Sequence, residues 1–437
     1  MALWTVHGNG RQLVDDAVVG SGERLSWPLT FGFGFQHLIA MFGTTTLVPL
    51  LTGFPASTTL LLSGLGTLLF LLVTRNRVPA YLGASAAFVV PMGAAVDHGG
   101  ATPGALLGAI MIVGLVVFTF GVAVKALGVR LLESAMPPVV TGGIVLMIGL
   151  SLAPQTVSSF SAQPVPAAIT LAVVVLATVL SRGMLRRLAV LLGVLAGWTC
   201  AALLGQVDPA RLDAVARAPW FGTPEFVTPQ MHLSAVPFVA PMVLVVLVEL
   251  VGNVKAVGAM SGRNLDGQVG DALIGGGLAT ALSGAGGGSA LSSHAPNVGV
   301  MAAARVYSTA ACMIAAVAAV VLAFCPKFGA LLGTIPVGVL GGALLVVVGV
   351  LALVGVRIWS EAGVDFADPV NLAVLGTALV AGVGDLTLSL GALRFTGLVW
   401  GSIGIVLVYP VLRGLADAVS ARRDAQRPGR GWQRGQW

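Results

Sequence analysis

Glu249 is a carboxylate in the middle of Val236 to Gly252, a run that is otherwise wholly apolar. A charged group at the centre of a membrane helix costs about 2.5–3.5 kcal/mol on insertion scales, so such a group faces a cavity, binds a ligand or carries a proton. Four residues on, Asn253 can hydrogen-bond but cannot titrate. Two stretches rich in small residues, Tyr81 to Pro91 and Gly288 to Val300, add Ala86, Ala87 and Asn297 to the candidate list. Small side chains let a ligand approach the backbone closely, and free N–H groups at half-helix N-termini would face its acceptor atoms. A flat, polar, neutral or weakly acidic ligand suits this chemistry: Glu249 accepts its N–H groups, and backbone amides at Ala86, Ala87 and near Asn297 donate to its carbonyls. Covalent catalysis is not suggested, because no nucleophile is paired with a base and no His, Cys or Asp cluster has ligand spacing. Cys200, Cys312 and Cys325 form no CxxC pair and read as small core hydrophobes. No enzyme, metal or organic cofactor is expected.

The elements that must position these groups are membrane helices. Of 437 residues, 57% are hydrophobic and 9% charged, against about 25% charged in soluble domains. The chain therefore cannot cover a water-facing surface and reads as an all-α polytopic membrane protein embedded in a lipid bilayer. Its net charge of +6 is explained by basic residues kept on one membrane face, so no nucleic-acid partner is expected. About fourteen apolar segments can be drawn. They lie near 30–51, 57–73, 81–95, 103–124, 135–153, 166–181 and 188–205, then 233–252, 270–283, 290–302, 306–325, 334–353, 368–383 and 394–413. Segments 3 and 10, at 81–95 and 290–302, are short and interrupted by Gly, Ser and Pro, whereas a plain span needs about 20 residues.

Charge placement orients the chain. With the N-terminus in the cytoplasm, only Arg211, Arg217, Lys327 and Arg394 of the 23 Lys and Arg fall outside, a strong positive-inside bias. Both termini are then cytoplasmic, in a multi-pass protein of the cell (inner or plasma) membrane. Residues 1–26 lack the apolar core and cleavage site of a signal peptide and read as a cytoplasmic tail. The halves also resemble each other: Met136–Leu146 aligns without a gap on Ile335–Leu345, Pro on Pro and Gly-Gly on Gly-Gly, at a shift of 199 residues. Seven segments followed by seven more must be inverted, as in secondary transporters that hold substrate at the midplane between broken helices. The expected domains are an N-terminal tail (1–29), a first repeat (30–205; core 30–133, gate 134–205), an outer linker (206–232), a second repeat (233–413; core 233–326, gate 333–413) and a basic cytoplasmic tail (414–437).

Three stretches resemble the nucleobase–cation symporter-2 family of uracil and xanthine permeases. They are Gln36 to Gly43 through Pro49, Val78 to Phe88, and Asn297 to Ser308, the last closest to the uracil-permease branch. The likeness runs from about 29 to 413. It implies proton-coupled uptake of a nucleobase or related planar heterocycle by rocking of a core against a gate, with H+ as coupling ion, Na+ as the alternative, and a homodimer formed through the gates. It implies that Glu249 binds the base and carries the proton, that Asn253 stands where a titratable residue is usual, and that the Gln36-His37 pair is a hallmark of the first helix. His37 then supports the site across helices or simply packs. The departures change the pocket. Pro296 replaces the usual Glu or Gln beside Asn297, Ala304 a Thr, Ala86 a stacking aromatic and Val348 a tyrosine. The expected pocket is roomier and less polar than a uracil site, with His294 either restoring one contact or capping a helix. Two alternatives stay open: an anion transporter of the sulfate-permease kind with the same fold, and a transport-silent sensor or scaffold.

Overall fold

The computed structural model describes residues 4–10, 18–97, 100–128, 137–151, 153–181, 189–232, 235–293, 295–386, 388–390, 393–395 and 397–426. The described residues are mostly helical. The first half contains α1 (Trp27–Thr52), α2 (Ala56–Val73), α3 (Val89–Asp97), α4 (Pro103–Leu127), α5 (Pro138–Ser151), α6 (Ala153–Ala162), α7 (Pro164–Leu180) and α8 (Ala189–Leu203). A short outer helix α9 (Pro209–Arg217) and a single turn α10 (Val236–Val239) lead to α11 (Met242–Ser261). Then come α12 (Val269–Gly286), α13 (Ala295–Ala304), α14 (Thr309–Ala323), α15 (Pro326–Gly333), α16 (Val337–Glu361), α17 (Pro369–Val383) and α18 (Gly397–Gln426).

Local chemistry sets many of these ends. The Thr102 hydroxyl accepts the Ala105 N–H at the start of α4, and the Asp368 carboxylate accepts from Val370 and Asn371 at the start of α17. Asp365 accepts from the Ala367 N–H in the turn that precedes α17. Asp271, in the first turn of α12, is paired with Lys125 at 2.5 Å. The aligned Pro-Gly-Gly stretches open α5 and α16, which pack on each other, and the Trp359 indole donates to the Val139 carbonyl at 3.0 Å.

The helices pack as two groups. In the first, α4 lies against α12 and α2 against α14, with α1, α11 and α13 alongside. In the second, α5, α6 and α7 pack on α16, α7 on α8, and α17 on α18. The groups touch where α1 meets α8 and α11 meets α5. The α4–α12 crossing is close enough to need glycine: a Cβ on Gly114 would stand 2.7 Å from the Gly277 carbonyl oxygen, and one on Gly277 2.7 Å from that of Gly114.

Among the described residues, six helices are long and apolar enough to span a membrane. The pair α14 and α15, bent by 86° at its junction, would make a seventh. Several other expected segments are present as helices of 10–17 residues, such as α7, α8 and α17. Two boundaries differ clearly from expectation. The last segment, expected to end at 413, continues as α18 to Gln426, because Ala, Leu and Arg there favour helix. The N-terminal stretch is no loose tail: β1 (Thr5–Val6) pairs in parallel with β2 (Glu23–Arg24), and Trp4, Val19 and Leu25 are buried.

Candidate functional site

Segments 3 and 10 are broken as their composition suggests, and each begins with a short strand. β3 (Leu82–Ala84) pairs antiparallel with β4 (Leu291–Ser293), Gly83 opposite Ser292. A 3-10 turn at Ala86–Phe88 then leads into α3, and β4 leads into α13. Extended backbone inside a bilayer is tolerated only when its polar groups are satisfied within the protein. Here helices on either side supply hydroxyls. On α2, Ser63 Oγ donates to the Leu82 carbonyl at 2.5 Å, and Thr67 Oγ1 accepts the Leu82 N–H at 2.9 Å. On α12, Thr280 Oγ1 donates to the Leu291 carbonyl at 2.6 Å, and Ser283 Oγ to the Ser289 carbonyl at 2.6 Å. Thr59, Ser63 and Thr67 are four residues apart, so they line one face of α2.

Glu249 projects from α11 towards this strand pair. Its Oε2 accepts a hydrogen bond from Ser292 Oγ. Ser85 lies beside the same carboxylate, although its hydroxyl falls outside hydrogen-bond geometry. One turn on, Asn253 Nδ2 donates to Ser293 O at 2.8 Å and to Ser293 Oγ at 2.6 Å. Ser293 Oγ in turn donates to the Glu249 carbonyl at 3.3 Å. Glu249 is therefore clamped to the second broken segment rather than isolated in its helix. Gly252 and Lys255, further along α11, are exposed.

Ala86 and Ala87 open the helical part of segment 3, where a helix leaves its first N–H groups without intrahelical acceptors. Asn297 lies in the first turns of α13, 1% exposed, and neither its Oδ1 nor its Nδ2 has a hydrogen-bond partner. A buried unpaired amide is unfavourable by about 1–3 kcal/mol per group, and native structures keep such groups for a reason. Asn297 lines a small cavity of about 10 Å³ together with Tyr81, Leu250, Asn253, Ser293 and Met301. The cavity lies beside Glu249 and does not include it. Pro296 also lies in the first turn of α13, but its side chain, like the whole of His294, is outside the described residues. His37 is buried on α1, and Val348 on α16. Sequence reasoning missed Ser85, Ser292 and Ser293. The available signal was their position in Gly/Ser-rich breaks one strand away from the carboxylate.

The comparisons with known proteins agree on what the chain is similar to. A family model described as "Permease family" matches residues 29–391. The putative pyrimidine permease RutG of Escherichia coli K12 is 42% identical over 415 residues, covering 92% of this chain and 94% of that protein. The uracil permease of Bacillus caldolyticus is 37% identical over 401 residues, covering 88% and 92%. Among solved structures, SLC26A9 aligns with a TM-score of 0.63 at 12% identity, covering 92% of this chain and 72% of that one. The transmembrane domain of the cyanobacterial bicarbonate transporter BicA aligns at 0.58 and 15%, covering 81% and 94%. At such identities the structural likeness concerns the fold alone.

Proposed function

The chain belongs to the nucleobase–cation symporter-2 permease family, and from that premise we propose that it is a proton-coupled secondary transporter of a pyrimidine or closely related planar base. The observation that carries the reading is the Glu249 carboxylate, held by Ser292 at the meeting point of two broken segments. A pyrimidine base offers N–H donors next to carbonyl acceptors. Its N–H groups would bond to Glu249, while backbone N–H groups at Ala86 and Ala87 and the Asn297 amide would serve its carbonyls. With Pro296 in place of an acceptor side chain, the Asn297 amide and Ser85 are the polar groups left to complete recognition. A site built to hydrogen-bond its ligand rejects analogues lacking those groups by powers of ten.

Fourteen spans in two inverted repeats fit the reciprocal packing of α4 on α12 and of α2 on α14. In this reading the first helix group is the core, the second is the gate, and their relative motion alternates access. Glu249, screened by the core, takes a proton from outside and releases it inside, H+ being favoured over Na+. The protein would work in the plasma membrane with both termini cytoplasmic, as a homodimer through its gates. The anion alternative is not favoured, because the Glu249 carboxylate where the broken segments meet would repel an anion.

Radiolabelled uracil uptake into proteoliposomes tests the reading. Uptake should rise with an inward proton gradient and vanish in Glu249→Gln. Uptake lost in Glu249→Gln but indifferent to external pH would sink the coupling. In parallel, saturating uracil should raise the melting temperature of the purified protein, since a ligand at 100 times its Kd stabilises by about 2.7 kcal/mol. A response to sulfate or bicarbonate and none to pyrimidines would overturn the substrate class.

A further inference from the structure

The two helices that carry the proposed site end on the same side of the protein, and one ordered stretch ties them together. Residues 18–25, just before α1, run beside the connection from α13 to α14. Val19 is fully buried and forms a parallel bridge with Val306: its N–H donates to Arg305 O at 3.0 Å, and its carbonyl accepts the Tyr307 N–H at 2.8 Å. The Ser21 carbonyl accepts from Thr309 Oγ1 at 2.8 Å, and the Glu23 carbonyl from Ser308 Oγ at 2.6 Å. Trp4 adds a buried indole whose Nε1 donates to Thr309 Oγ1 at 2.7 Å. The other helix is tied through Arg263, whose Nη1 donates to Ser21 Oγ at 2.9 Å. The Arg263 N–H itself bonds to Gly258 O at 2.9 Å, within α11.

This is more than a chain needs in order to enter its first helix. The α13–α14 connection is only four residues long, and Arg305 within it takes the left-handed conformation at φ 54°, which L side chains rarely adopt. The backbone bonds from Val19 fall on that residue's own carbonyl and on the N–H of Tyr307, two residues on. Asn297 lies eight residues up α13, about 12 Å at 1.5 Å per residue, so a displaced connection displaces the amide. Binding geometry of this kind tolerates little misplacement.

We propose that residues 4–10 and 18–25 form a strap that fixes the spacing between α11, bearing Glu249, and α13, bearing Asn297, so that Trp4, Ser21 and Arg263 are positioning residues for substrate. The inference rests on the transport reading above. Its test is uracil uptake by wild type, Trp4→Phe, Ser21→Ala, Arg263→Ala and Arg263→Lys, normalised to copies in the membrane. Trp4→Phe keeps an aromatic ring in the buried position and loses the pyrrole half with its N–H. Ser21→Ala keeps the backbone bonds and loses the link to α11. Each of these two, and Arg263→Ala, should raise KM about three- to tenfold, the effect of one lost hydrogen bond, with Vmax per copy within about twofold of wild type. Arg263→Lys, which can still donate to Ser21 Oγ, should keep the wild-type KM. The double variant Ser21→Ala/Arg263→Ala should be no worse than the worse single one, because both remove the same bond. An unchanged KM in Trp4→Phe and Ser21→Ala, or a fall in melting temperature and Vmax with KM unmoved, overturns the strap while leaving transport intact. Wild-type protein that takes up neither uracil nor any other pyrimidine overturns the transport reading, and the strap's role in it falls too.

Discussion

Ser292 and Asn253 do different work on the same strand, and their removal should be separable. Ser292→Ala takes a donor from the Glu249 carboxylate, a charge-assisted bond when Glu249 is ionised. Uracil affinity by titration calorimetry should fall about tenfold or more, because such bonds contribute about 1.5–3 kcal/mol. Asn253→Ala takes two bonds from Ser293, so its expected effect is on thermal stability, with about 1–3 kcal/mol lost. Equal affinity losses with no stability change in Asn253→Ala would place it on the ligand instead. Glu249 was legible because a carboxylate in an apolar run is rare and expensive. Its serine partners were not, because serine is common in any broken segment and only the fold shows which hydroxyl faces the acid. Pro296 stood out against the resemblance, yet that the neighbouring Asn297 amide is buried and unpaired could not be read from residue types.

The strand pair depends on the helices that flank it. Thr280→Val, nearly the same shape without the hydroxyl, leaves the Leu291 carbonyl short of a donor inside the protein and should lower the melting temperature, with about 1–3 kcal/mol lost. Thr280→Ser should restore most of it. At the α4–α12 crossing, Gly114→Leu forces backbone apart where the Gly277 carbonyl already approaches, and overpacking typically loses about 1–3 kcal/mol. A melting temperature equal to wild type would show that the crossing can open. That both segments are interrupted was evident from their length and their Gly, Ser and Pro content. That their first residues pair as strands was not, because three-residue strands carry no periodicity and their partner lies about 200 residues away. The hydroxyl rows on α2 and α12 hid in apolar helices, where Ser and Thr look neutral.

Across the molecule, the membrane class followed from composition, whereas the docking of the N-terminal stretch did not: a short polar stretch of mixed charge looks the same whether it is docked or loose. Its docking has a pH signature. The Gly20 N–H, followed by His7, holds the Glu23 carboxyl below its ordinary value of 4.5. A depressed folded-state value contributes stability that is present above the unfolded value and lost as pH falls through the folded one. Hydrogen exchange in residues 4–10 and 18–25 should therefore quicken, relative to the intrinsic rate, as pH drops below 4.5, and Glu23→Gln should flatten the response. The pairing of β3 with β4, and the Ser292 bond to Glu249, place every proposed substrate contact in one packed body. A base bound there would meet identical partners whichever compartment the body opened to. Equal affinity for two states shifts nothing, however tight it is. The substrate alone could only equilibrate across the bilayer, and any accumulation would have to be set by the electrochemical difference of a coupled ion.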